Sequence, residues 1–164
     1  MILYFLRHGI AEDRAADGTD HARSLTSDGE RQLRAATAVW RRLNLRPDVV
    51  FTSPLPRAQR TAELLVDALE LSHPPIADDG LAPGAGWSSF AQLLAQRPAD
   101  RRVLFVGHEP DLSQAIELLT GASSVRMRKA GLACLEFYGV PEAGGGEIAW
   151  LLDPDLYDTS PTDA

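Results

Sequence analysis

Three short runs of apolar, largely β-branched or aromatic residues punctuate the chain: Ile2 to Leu6, Asp48 to Thr52 and Val103 to Gly107. None alternates apolar with polar residues and none is long enough for a helix, so each is expected to be a strand covered on both faces. An amphipathic stretch follows each run. That alternation predicts a three-layer α/β fold, with a mainly parallel central sheet flanked by helices.

The helical stretches carry their own start and stop signals. Ser27-Asp28-Gly29-Glu30 has capping-box spacing, and Leu33, Ala36, Trp40 and Leu43 then share one face. Ser53-Pro54 reads as an N-cap followed by proline at the first helical position, which predicts a helix over 54–70 carrying Ala58, Ala62, Leu65 and Leu69. After the third run, Pro110 marks a helix start and Gly121 its stop. A short strand is expected at Ile76, a short helix over Ser88 to Gln96, and two strands at Leu132 to Tyr138 and Glu147 to Leu152. The glycine-rich stretch Gly139 to Gly146 joins the last two as a hairpin. Residues 1–152 are expected to form one domain; the acidic tail, 153–164, is expected to fray.

Composition limits the partners. With 16 basic against 23 acidic residues the net charge is −7, which argues against broad nucleic-acid or anionic-membrane binding while leaving room for a small basic pocket. The apolar runs are too short to cross a bilayer, and the first lacks the flanks of a secretory signal. A single cysteine, Cys134, rules out an internal disulfide and fits a reducing, cytoplasmic location; it is expected to pack in a strand as a small hydrophobe. Oligomeric state is open, since no heptad or obvious apolar interface stands out.

The chemistry collects where the three strands end. These ends read Leu6-Arg7-His8-Gly9, Thr52-Ser53-Pro54-Leu55-Pro56-Arg57 and Gly107-His108-Glu109-Pro110. Open α/β sheets bind ligands in the crevice outside the carboxyl ends of their strands, so two arginines and two histidines share the expected binding edge. Arginine's planar fork suits phosphate, and a neutral imidazole can attack phosphorus. Neighbouring arginines are expected to keep one histidine neutral, with its second ring nitrogen held by a backbone carbonyl. The other histidine, protonated, is expected to stabilise the equatorial oxygens. Glu109, beside His108, is expected to cap the following helix or orient a partner. Glu12 and Asp13 read as solvated loop; His21 and His73 are given no role.

Arg7-His8-Gly9, then Leu25-Thr26 and Gly29, then Ser53-Pro54-Leu55 with Arg57-Ala58 and Thr61, then Gly107-His108 resemble, in that order, the histidine phosphatase superfamily, the phosphoglycerate-mutase-like proteins. Within it, the chain looks like the small SixA-type phosphohistidine phosphatases. The resemblance implies that His8 is the nucleophile that becomes phosphorylated, that Arg7 and Arg57 hold the phosphoryl group, and that His108 contacts it from the opposite side. It implies no metal and no other cofactor, and a phosphohistidine-containing protein as substrate.

Two departures from the superfamily pattern bear on the substrate. Gln59-Arg60 reverses the usual order before Thr61; this reads as a swap on the helix surface, or places Arg60 near the rim. The stretch Ala77 to Gly84 lacks the glutamate general acid of many superfamily phosphomonoesterases, leaving Asp78, Asp79 or no residue in that role. A phosphoramidate needs such an acid less than an ester does, because its imidazole leaving group can itself be protonated. A general phosphatase for small esters and a catalytically idle phosphate-binding module are the alternative readings.

Overall fold

The computed structural model describes residues 1–157. Six strands form one mixed sheet in the order β3-β2-β4-β1-β5-β6. They are β1 (Ile2–Arg7), β2 (Val49–Thr52), β3 (Ile76–Ala77), β4 (Arg102–Gly107), β5 (Leu132–Glu136) and β6 (Glu147–Leu152). The first four run parallel; β5 alone runs against them, and β6, antiparallel to β5, points the same way as the first four. Helices α1 (Ser27–Arg42) and α2 (Pro56–Leu69) cover one face; α3 (Trp87–Ala95) and α4 (Asp111–Thr120) cover the other. The expected three-layer α/β architecture is therefore the one observed. Among the described residues no helix is long and apolar enough to cross a membrane.

Strand periodicity explains why β1 and β4 read as unbroken apolar runs. Tyr4, Leu6, Leu104 and Val106 face Leu33, Trp40 and Leu65, while Leu3, Phe5, Val103 and Phe105 face Phe90, Leu93, Leu112 and Ile116. Both faces are core, so both sets must be apolar. Cys134, on β5, is buried in the first of these cores.

Three local expectations are corrected. The α1 cap is Thr26, not Ser27: its Oγ accepts from the Gly29 amide at 3.0 Å. Thr26 is fixed in extended conformation because its own amide donates to the Ile10 carbonyl at 2.9 Å. Helix α2 begins at Pro56 with Leu55 at the N-cap, rather than at Pro54 after Ser53. A residue before proline is pushed out of the helical region, and Leu55 accordingly sits at φ −71°, ψ 138°. Ser53 is thereby released for another use. Third, the chain does not fray directly after Leu152: Pro154–Tyr157 forms a 3₁₀ turn whose Tyr157 ring lies in the core edge-on to Trp40. The remainder of the acidic tail, 158–164, lies outside the described residues.

Gly29 shows how closely α1 approaches the first strand's exit. A Cβ at this position would collide with the Ile10 carbonyl oxygen, which is backbone and cannot swing aside. Gly29→Ala is expected to destabilise the fold by ~1–3 kcal/mol through overpacking. A thermal melt should register this as ~2–4 °C per kcal/mol; an unchanged midpoint would show that α1 can slide off Ile10.

Candidate active site

Strand register assembles the site. Arg7 pairs with Gly107 across the parallel β1–β4 ladder, so one residue further on His8 and His108 stand side by side. Their ring centroids are 5.1 Å apart with planes inclined at 56°. Thr52 pairs with Val106 across β2–β4, which sets Ser53 beside His108; Ser53 Oγ lies 2.7 Å from His108 Nε2. Arg57, in the first turn of α2, completes the group. The four residues picked out from the sequence, Arg7, His8, Arg57 and His108, thus come together at the carboxyl edge of the sheet, with His8, Arg57 and His108 only 6%, 3% and 3% exposed.

His8 is held as a nucleophile requires. Its Nδ1 lies 2.8 Å from the Gly9 carbonyl oxygen, which can only accept, so the proton resides on Nδ1 and Nε2 keeps its lone pair. The Gly9 amide in turn donates to Thr61 Oγ1 at 3.1 Å, and that hydroxyl donates to the Arg57 carbonyl at 2.7 Å. Burial pushes the His8 pKa down to about 3, opposed by the Gly9 hydrogen bond and assisted by His108, Arg57 and Arg7. Burial, and then Arg57, likewise lower His108 to about 4. Both imidazoles are therefore neutral at neutral pH in the protein by itself, whereas the protonation expected of the second histidine belongs to the phosphoryl-bound state.

The arginines are partly committed to the protein itself. Arg7 Nη1 donates to the Met127 carbonyl at 2.8 Å, which orients the fork. Arg57 donates through Nη1 to the Asp20 carbonyl at 2.7 Å and through Nη2 to Asp20 Oδ2 at 2.8 Å. Asp20, 56% exposed, also accepts from Arg23 Nη1 at 2.6 Å, and Arg23 holds the Glu12 carbonyl. The arginines hold the Asp20 carboxyl below its ordinary range, Arg23 most strongly. Sequence reading missed Asp20 and Arg23; the signal lay in the Asp-x-x-Arg spacing, which closes an ion pair within the loop. Glu12, read as solvated, also ties this loop, accepting from the Ser24 amide.

Other candidates stand apart from the cluster. Asp78 Oδ1 accepts from the Gly80 amide, and Asp79 opens the 3₁₀ turn Asp79–Leu81; neither bonds to Arg7, His8, Arg57 or His108 among the described residues. Both follow β3, two strand spacings from β4, a separation of about 10 Å. Arg60 is bound to Glu30 and Glu63, bridging α1 and α2. Glu109 accepts from Ser113 Oγ within its own helix start, and burial raises its pKa. Among the described residues no cluster of three or more His, Cys, Asp or Glu is placed to hold a metal ion.

Comparison with known proteins finds relatives of the sequence and of the fold. Residues 3–83 match the family model of the histidine phosphatase superfamily (branch 1). An uncharacterized protein of Picosynechococcus sp. (strain ATCC 27264 / PCC 7002 / PR-6) is 38% identical over 162 residues, 96% of this chain and 94% of that protein. The structure is similar to that of the protein histidine phosphatase SixA complexed with tungstate, at TM-score 0.84 and 24% identity over 95% of this chain and 99% of the other. It is also similar to the structure of a SixA protein from Nakamurella multipartitia, named a putative phosphohistidine phosphatase, at TM-score 0.74 and 29% identity over 93% and 95% of the two chains. The alpha-ribazole phosphatase from Shigella flexneri shares the fold at TM-score 0.71 and 18% identity, over 94% and 97%.

Proposed function

The chain belongs to the histidine phosphatase superfamily, and from that premise we propose that it removes the phosphoryl group from phosphohistidine on a phosphocarrier or phosphotransfer protein. The observation that carries this reading is the 2.8 Å contact of His8 Nδ1 with the Gly9 carbonyl, which leaves Nε2 free as a nucleophile within reach of the charges of Arg57 and Arg7.

In the first step the Nε2 lone pair of His8 forms a bond to phosphorus while the phosphorus–nitrogen bond of the substrate breaks. The departing imidazole keeps the bonding pair, neutralised by the proton its ring carries. In the second step water attacks phosphorus and its proton passes to the phosphate. The bond to Nε2 breaks, and that nitrogen regains its lone pair. Arg7 and Arg57 hold the equatorial oxygens, with Arg57 exchanging Asp20 for phosphoryl oxygen. The incoming anion favours protonation of His108, which then donates to the phosphoryl group. The resting pocket is thus neutral at both histidines and becomes cationic when phosphate enters.

The preference for phosphohistidine over esters is supported by the placement of Asp78 and Asp79, which follow a strand two spacings from His108. An ester leaving as alkoxide needs a proton donor next to its oxygen, whereas imidazole does not. The test is a direct comparison of kcat/KM on a phosphohistidine-labelled carrier protein and on p-nitrophenyl phosphate. We expect the carrier to be favoured by a factor of about 10² or more, the range of a single general acid. Equal rates, or ester turnover lost in Asp78→Asn, would move the assignment to small phosphate esters. Binding of phosphate without turnover of either substrate would indicate a binding module.

A further inference from the structure

We infer that Tyr157 is a positioning residue for Arg7 and His8, acting through the turn that precedes β5. The inference deepens the reading above, in which His8 attacks phosphorus.

One turn holds both residues of the first strand's exit. The Ala130 amide donates to the His8 carbonyl at 3.0 Å, and the Arg7 amide donates to the Gly131 carbonyl at 3.0 Å. Arg7 Nη1 adds its bond to the Met127 carbonyl. The turn is closed by the Gly131 amide on the Arg128 carbonyl at 2.7 Å, and it forces Ala130 to φ +65°. A residue with a Cβ occupies that region only where its surroundings hold it there.

Those surroundings come from the end of the described chain. Tyr157 Oη donates to the Ala130 carbonyl at 2.8 Å, in a fully buried contact. Arg128 is gripped from outside by Asp153 at 2.8 Å and Asp155 at 2.6 Å. The Trp40 ring meets Tyr157 edge-on, with centroids 6.1 Å apart, and fixes its direction. Phenylalanine would fill the same volume, so the hydroxyl answers to Ala130 rather than to packing. Burial pushes the phenol up to about 12, so it remains a donor throughout the working pH range. A shift of the Ala130 amide would release the His8 carbonyl, and with it the peptide that aims the Gly9 oxygen at Nδ1.

The test compares wild type with Tyr157→Phe, using a phosphohistidine-labelled carrier for kinetics and ¹⁵N resonances of the His8 ring for tautomer state. We expect kcat to fall about 5- to 20-fold with KM within about two-fold, the pattern of a small displacement of the attacking atom. Wild type should show the Nδ1–H tautomer alone, and the variant a mixture of both. Wild-type kcat with a single tautomer in Tyr157→Phe would overturn the inference, whatever its melting temperature. Should Tyr157→Phe fail to fold, the exposed double variant Asp153→Asn, Asp155→Asn decides. A fall in kcat alone supports the clamp, and unchanged kcat overturns it. If wild type itself releases no phosphate, the substrate reading fails and the ring spectra alone judge the clamp.

Discussion

His8→Ala is expected to abolish phosphate release from a phosphohistidine-labelled protein, with a loss on the order of 10⁴- to 10⁶-fold in kcat, as when an enzyme loses its nucleophile. Alanine removes the one imidazole, among the described residues, whose lone pair is held free by a partner that can only accept. His108 cannot replace it: its Nε2 is 2.7 Å from Ser53 Oγ, and it lies on the neighbouring strand. The other three residues of the cluster would stay in place, because alanine keeps the backbone bonds of position 8 to Gly107 and Ala130. A quenched time course of phosphate release, alongside binding of inorganic phosphate, checks both halves. Turnover by the variant within about ten-fold of wild type would show that phosphorus is attacked directly by water.

Arg57→Ala is expected to have the second largest effect, a fall in kcat of about 10²- to 10³-fold, the range for removing one donor from an anion-stabilising site. The guanidinium is buried, so nothing from solvent substitutes for its two-pronged grip. The same change should alter the pH profile. Burial is the largest cause of the low His108 pKa and Arg57 the second, so removing Arg57 should move the value up from about 4. Because the proposed step uses His108 in its protonated form, the basic limb of the rate profile that reports it should therefore shift to higher pH in the variant. A variant with wild-type kcat, or with an unmoved basic limb, would show that Arg57 is committed to Asp20 throughout the cycle.

Legibility from sequence followed the range of the interactions involved. Strands β1, β2 and β4 could be read directly, because both of their faces are core and the apolar run is the direct record of that. Arg7, His8, Arg57 and His108 could be brought together because parallel strands align their carboxyl ends. Helix starts were misplaced where two signals competed. Ser53-Pro54 looks like a cap, but Pro56 overrules it by holding Leu55 extended. Thr26 and Ser27 are equally good caps in isolation, and only the distant Ile10 carbonyl selects Thr26. Asp20 was invisible as a partner of Arg57, since the two are 37 residues apart and no local pattern joins them. The aspartates of the C-terminal stretch masked the single Tyr157 that the core takes in.

The placement of Cys134 bears on how such an enzyme survives oxidants. Burial, and then Glu136, push the only thiol of the chain up to about 12, so it is protonated at any physiological pH. Peroxide attacks thiolates, not thiols, and enzymes that use a cysteine nucleophile are switched off by that reaction. In the proposed reaction the attacking atom is an imidazole nitrogen, and the one sulfhydryl is buried within the sheet's core. Oxidative stress that silences thiol-dependent phosphatases should leave this one working.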